Sequence, residues 1–226
     1  AAAIAMRGEA LEKVEELPAL KRWARGLRAL ARATRNPGDT LSVLEFNLHV
    51  NAGGSPERMA HFLATPSGRK LFAERRALDS RTMDLEALEQ LPDGTLGREY
   101  ARFMKDNGLS PDIFQAPDNV ASPEFAYFAQ RMRQTHDLWH VLTGYRTDVP
   151  GEVELQAFTY AQTRMPGSLL LTLVGTLRML RRRPLHFRKV LAAWRRGRAS
   201  GYFPSFPWEE HWATPVAELQ RQLSVA

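Results

Sequence analysis

Residues 122–152 read SPEFAYFAQRMRQTHDLWHVLTGYRTDVPGE. Ser122 offers a hydroxyl suited to cap a helix, and Pro123 fits the first helical position, where a missing N–H costs nothing. Phe125, Phe128, Met132, His136, His140 and Thr143 then recur at steps of three or four, which is one stripe of an amphipathic helix. Gly144 ends that helix. Asp148 can cap the next, VPGEVELQAFTYAQTRM, which should stop or kink at Pro166. The stretch therefore predicts two helices joined as a hairpin.

Working outward, the same periodicity recurs. EALEKVEELPALKRWARGLRALARA predicts a long amphipathic helix with Pro18 as a break or restart. The middle of NPGDTLSVLEFNLHVNAGG fits a short helix or a strand. SPERMAHFLATPSGRKLFAER opens on a capping Ser-Pro pair, and LPDGTLGREYARFMKDNG is a turn and a helix with Gly108 as a C-cap. GSLLLTLVGTLRMLRRR, LHFRKVLAAWRRG and PWEEHWATPVAELQRQL predict three more helices. The expected fold is all-α: a single compact helical domain over residues 1–226, with no internal repeat and no convincing boundary.

Composition bounds the chemistry. With 226 residues, 44% hydrophobic and 25% charged, the chain has an ordinary balance for a globular domain. It holds no cysteine, which excludes disulfides and thiolate metal sites. The net charge is +6 and the pI about 10.0, favouring anionic partners. The uncharged run 165–177 is too short for the roughly 20 residues of a membrane span. The start AAAIAMRGEA lacks the pattern of a signal peptide.

His136 and His140 lie at i and i+4, so both rings face one side of one helix. Glu152 opens the following helix, and a hairpin would fold its carboxylate back toward them. Two imidazoles and a carboxylate suit zinc, iron(II), manganese or cobalt. Asp137 lies some 100° round the helix from His136; it fits a fourth ligand or a group that fixes a ring or handles a proton. Two core histidines hydrogen-bonded to these acids remain the alternative. The inner aspartate distinguishes the pattern from H-E-x-x-H, so no metalloprotease is expected. A phosphohydrolase would need further ligands, for which His61 and Asp148 are present but unplaced.

The spacing H-D-x-x-H, eleven residues, then E, on His136, Asp137, His140 and Glu152, resembles the signature of the Coq4 family of ubiquinone biosynthesis proteins. LPDGTLGREYARFMKDNGLSPD, with Gly97, Tyr100, Phe103 and Asn107, resembles the segment that precedes the signature in that family. FAQRMRQTHDLWH, AQTRMP and WEEHWATPVAELQRQLSV continue the likeness, over roughly residues 40–226. Departures are the charged RTDVPG after Tyr145, the arginines near 175–183 and the short N-terminus, which together suggest a bacterial member. The resemblance implies an all-helical protein with a divalent metal, zinc or iron among the choices, held by His136, Asp137, His140 and Glu152, the same four being catalytic. It implies removal of the carboxylate at ring carbon 1 of a polyprenylated benzoquinone precursor, coupled to hydroxylation there. A scaffold of the biosynthetic complex with a structural metal is the alternative.

The isoprenoid tail of such a precursor needs an apolar channel, for which GSLLLTLVGTL and the stripe Phe125, Phe128 and Met132 are candidates. Arg178, Arg181, Arg182, Arg183, Arg188 and Lys189 predict contact with an acidic membrane surface. No helix-turn-helix, zinc-finger or aromatic platform points to nucleic acid. The expected partners are the lipid precursor, an acidic membrane surface, other quinone biosynthesis proteins and further copies of the chain. The expected location is peripheral, on the cytoplasmic side of a bacterial inner membrane or the matrix side of the mitochondrial one.

Overall fold

In the computed structural model, which describes residues 12–36, 39–113 and 117–225, eleven α-helices follow one another. Among the described residues no strand forms; an isolated antiparallel bridge joins Thr95 to Pro215. A 3-10 turn at Val14–Glu16 precedes α1 (Ala19–Arg35), with Pro18 between them as the break its sequence predicts. The first part of that amphipathic stretch lies outside the described residues. α2 (Thr40–Asn51) settles the open segment as helix, capped by Asp39, whose carboxylate accepts from the Ser42 N–H at 3.0 Å.

SPERMAHFLATPSGRKLFAER becomes two helices, α3 (Ser55–Ala64) and α4 (Pro66–Glu74). The Thr65 hydroxyl accepts from the Gly68 N–H at 3.0 Å and starts α4 afresh. A side chain at 68 would meet the Phe62 carbonyl at 2.0 Å, so the tight corner needs glycine. The short α5 (Leu85–Glu89) was not evident in the sequence. α6 (Leu96–Asp106) is followed by Gly108 at φ +62°, the C-cap geometry expected. Next come α7 (Pro123–Thr143), α8 (Val149–Thr163), α9 (Pro166–Met179), α10 (His186–Ala199) and α11 (Val216–Gln222).

The predicted hairpin is α7 and α8. Ser122 accepts from the Phe125 N–H, Gly144 takes φ +75°, and Asp148 accepts from the Gly151 N–H at 3.0 Å. α8 stops at Thr163, and Pro166 begins α9. The main core joins Leu138, Trp139 and Leu142 of α7 to Leu155 and Phe158 of α8 and to Leu96, Tyr100 and Met104 of α6. The C-terminal segment completes it with Phe203, Trp208, Leu219 and Leu223. Each such side chain contributes on the order of 1.5–3 kcal/mol on burial. A buried ion pair fastens this segment to α7. Arg131 donates to Glu209 at 2.6 Å and to the carbonyls of Phe206 and Pro204 at 2.8 and 3.2 Å, so its charge is met on several sides. The result is a single compact helical domain.

Candidate metal centre and its cavity

The loop between α7 and α8 aims Glu152 at the two histidines. At Gly151 a Cβ would meet the Arg146 carbonyl at 2.2 Å, so the chain turns in a space only glycine fits. Thr147 donates to Asn107 at 3.0 Å and Arg196 to the Thr143 carbonyl at 2.7 Å, fixing the loop from both sides. His140 Nε2 then stands 3.1 Å from Glu152 Oε1, and His136 Nε2 3.5 Å from Oε2. Ligand atoms held at about 2.0 Å round a tetrahedral ion are about 3.3 Å apart. Among the described residues His136, His140 and Glu152 form a group whose ligand atoms all lie within 4.8 Å of one another.

His140 is fully buried, and its Nδ1 lies 2.8 Å from the Tyr145 carbonyl. Donation there places the proton on Nδ1 and leaves the Nε2 lone pair free toward the ion. Phe103 stacks on the same ring at 5.5 Å, and the His136 ring stands edge-on to it at 4.9 Å. Of the segment that resembles the Coq4 family, Phe103 of α6 thus packs on the site and Asn107, just past α6, holds the loop, while Tyr100 stacks on Trp212 of the C-terminal segment. Gly97 lets the C-terminal segment approach: a Cβ there would lie 3.1 Å from the Trp212 carbonyl.

The charges agree with a cation site. Burial acts to raise the Glu152 pKa, but hydrogen bonds from His136 and His140 outweigh it and hold the carboxyl at about 2. His136 is shifted the other way: burial lowers it, Glu152 outweighs burial, and its pKa ends raised. Asp137 is buried beside the pair but outside the converging group. Burial raises its pKa against the pull of both histidines. Burial also raises the Tyr100 pKa, with the Asp137 charge adding to it. His61 packs against Tyr202 at 4.5 Å and Asp148 caps α8, so neither joins the site.

His136 and Glu152 form part of the wall of a cavity of about 240 Å³ between α2, α7, α8 and the start of α9. Phe125, Phe128 and Met132 line it, as the stripe suggested. The leucines of GSLLLTLVGTL do not: Leu170, Leu171 and Val174 pack against Ala29, Leu30, Phe46 and Val50, Leu173 and Leu177 face outward, and only Ser168 of this run reaches the cavity. Sequence reading missed Arg58, Arg133, Gln156 and Thr159, which also line it. A signal for three of them was present. Glu152, Gln156 and Thr159 recur at helical steps along α8, and Arg133 lies one turn before His136.

Residues 16–226 match the family described as coenzyme Q (ubiquinone) biosynthesis protein Coq4. The mitochondrial ubiquinone biosynthesis protein COQ4 homologue of Xenopus laevis is 36% identical over 162 residues, 71% of this chain and 57% of its own length. The mitochondrial COQ4 protein of Laccaria bicolor is 31% identical over 203 residues, 88% of this chain and 67% of its own. A crystal structure of a protein from Nostoc punctiforme superposes with a TM-score of 0.73 at 28% identity, covering 89% of this chain and 97% of that one. The chain spans between 57% and 62% of the length of the vertebrate relatives it matches.

Proposed function

This chain belongs to the Coq4 family of coenzyme Q (ubiquinone) biosynthesis proteins, and on that premise we propose that it is a metal-dependent enzyme acting on the ring of a polyprenylated precursor. The reaction we assign is replacement of the carboxylate at ring carbon 1 by hydroxyl. Written with water as the oxygen source, it releases carbon dioxide, a proton and two electrons, so an electron acceptor such as dioxygen takes part. The observation that carries the reading is the position of the ligand trio. His136, His140 and Glu152 converge, and two of them, His136 and Glu152, stand in the wall of a largely apolar cavity, whereas a structural metal would be closed off by protein. A divalent ion held there would supply Lewis acidity to a ring or carboxylate oxygen.

The chain's own groups have separable roles in this proposal. His136, His140 and Glu152 hold the ion, with His140 oriented by the Tyr145 carbonyl. Asp137, buried and raised in pKa, is assigned to proton handling rather than direct ligation, because its carboxylate stands outside the trio. Phe125, Phe128 and Met132 exclude water and seat the first part of the tail. The described residues are proposed to act as one domain.

The tail confines such a substrate to a bilayer, so the protein is proposed to work peripherally at an anionic membrane, alongside other enzymes of the pathway. In a bacterium this is the cytoplasmic face of the inner membrane. No helix among the described residues is long and apolar enough to cross a membrane. The experiment is an assay of carbon dioxide release from a short-chain prenylated hydroxybenzoic acid, using zinc- and iron-loaded protein under air. Release that depends on the metal supports the enzyme. Full metal occupancy with ligand bound and no release with either metal would replace it with the scaffold reading.

A further inference from the structure

The cavity beside the metal-binding trio has two unlike ends. One is lined by Leu48, Phe125, Phe128 and Met165, all buried. Val14 and Leu17 pack behind Leu48 and Phe125, and Met59, Phe62 and Leu71 behind Phe128 and Met165. Arg58 is tied across this end by the carbonyls of Gly53, at 2.7 Å, and of Asn51. The other end is lined by Thr40, which is exposed, and by the side chains of His136 and Glu152, 28% and 38% exposed. Among the described residues the cavity is closed behind the aromatic stripe and open beside the trio.

Three helix ends meet around that opening. Asn51, at the end of α2, accepts from the Gly167 N–H of α9 at 2.9 Å. Arg178, near the end of α9, donates to the Thr34 carbonyl of α1 at 3.4 Å. α9 therefore runs antiparallel to α2 and finishes beside its first turn. Gly175 of α9 lies against Val153, which brings the start of α8 to the same place. Each of these ends turns large apolar side chains outward: Leu41 next to Thr40, Val149 three residues before Glu152, and Leu173 and Leu177 of α9. Arg35, Arg146 and Arg178 stand exposed among them, and Arg181, Arg182 and Arg183 follow directly from α9. The acids here are engaged. Asp39 and Asp148 cap helices, Asp148 lies 3.5 Å from Arg146, and Glu45 pairs with Arg32. An apolar rim with surplus cations matches an anionic lipid surface. A second copy of the chain would meet it with the same cations.

We infer that this rim is the port through which the lipid precursor enters from the membrane, and that the protein docks with the metal end of its cavity toward the bilayer. The inference deepens the proposed function and rests on it for the identity of the lipid. The cavity, about 240 Å³, is smaller than the roughly 300–1,000 Å³ of pockets that bury a drug-sized ligand. It takes a ring and the first part of a tail. The rest of a polyprenyl chain has to leave by the open end, and a bilayer at the rim gives it an apolar place to go.

The chain has no cysteine, so a single introduced one can be labelled alone. Leu41→Cys, Val149→Cys and Ala73→Cys, each carrying an environment-sensitive fluorophore on zinc-loaded protein, are mixed with vesicles of phosphatidylcholine and phosphatidylglycerol. Ala73 is exposed on α4, behind the closed end, and serves as the control. The labels at positions 41 and 149 should shift to shorter wavelength and be strongly quenched by nitroxide-bearing lipid, and the label at 73 should do neither. Leu41→Asp combined with Val149→Asp should take up a long-chain prenylated hydroxybenzoic acid from the same vesicles several-fold less than wild type, with zinc content unchanged. If that variant does not fold, the labels decide. Labels at 41 and 149 that stay in water, whether the vesicles bind through another face or not at all, overturn the inference. So does a shift without vesicles that grows with protein concentration, which makes the rim a contact between copies. None of these readouts needs turnover. Absent carbon dioxide release sinks the proposed reaction and leaves the port standing.

Discussion

Two regions of this molecule place charge and grease in opposite ways. Along α7 and α8, ionisable groups stand inside, facing a cavity walled by Phe125, Phe128, Met132 and Trp139. At the end of α9 and the start of α10, apolar groups stand outside. Leu173, Leu177, Leu180, Leu185, Phe187 and Leu191 are all exposed, six of the eleven exposed large hydrophobic residues among those described. Around them lie Arg178, Arg181, Arg182, Arg183, Arg188 and Lys189, and between Glu154 and Glu209 the chain has ten arginines and lysines and no acid. A buried charge needs a partner, and an exposed apolar patch of this kind needs a cover. The first region answers with ion pairs and a place for a metal; the second has none of the described residues laid over it. The regions are also close. A Cβ at Gly175 of α9 would meet Val153 at 2.3 Å, and Val153 follows the metal-facing Glu152.

The sharpest way to break this comparison is to remove the partner that makes the inner charges tolerable. His140→Ala should abolish binding of about one divalent ion per chain, with affinity falling by more than the 10- to 100-fold typical of a lost outer-shell contact. Elemental analysis of variant and wild type reads the result, and equal metal content would remove the trio from the account. Asp137→Asn should behave differently: metal content stays near wild type while carbon dioxide release drops at least tenfold. A variant stripped of metal would instead make Asp137 a fourth ligand.

Proton competition gives a smaller effect with a defined sign. Without metal, His136 and Glu152 stabilise one another. The Glu152 contribution is present above its ordinary 4.5 and is lost as pH falls toward 2. The His136 contribution is present below its ordinary 6.5 and is lost as pH rises through its raised value. The metal-free pair is therefore most stabilising between those ordinary values. The ion needs His136 neutral, so its affinity climbs with pH over the range above 6.5 until His136 is fully deprotonated. Melting curves with zinc and with chelator from pH 5 to 9 should diverge as pH rises. A constant gap would mean that no proton is displaced from the site.

Much of the inner region was legible because it follows local rules. The step from His136 to His140, the stop at Gly144 and the cap at Asp148 are each set by a few neighbouring residues, and together they return Glu152 to the histidines. The α3–α4 corner and the face of α9 were not legible. Thr65 and Gly68 read as ordinary members of a helical pattern until the Phe62 carbonyl is brought against them. The run 169–174 is uncharged on all sides, and only the neighbours decide which leucines are core: α1 and α2 cover Leu170, Leu171 and Val174, and no described residue covers Leu173. Arg133 and Thr159 had a helical spacing that could have marked them, but Arg58 comes to the cavity from another helix and no single stretch announces it.

The outer region gives the smallest and most conditional effect, and salt sharpens it. A leaflet rich in acidic lipid attracts each arginine near its surface with about 1 kcal/mol, and the attraction decays over about 8 Å at physiological ionic strength. The exposed leucines and Phe187 add apolar contact that salt does not screen. Replacing Arg181, Arg182 and Arg183 with glutamate reverses the charge of the three most closely spaced cations, all exposed and on the short connection between α9 and α10. In liposome flotation the wild type should bind vesicles containing acidic lipid, less so at higher salt, and the triple variant should bind several-fold more weakly with its metal content unchanged. Replacing Leu177 and Leu185 with serine should weaken binding further at high salt, where the apolar contribution is what remains. Flotation that ignores acidic lipid and both sets of substitutions would return the corner to a solvated face and leave the exposed leucines to a protein partner.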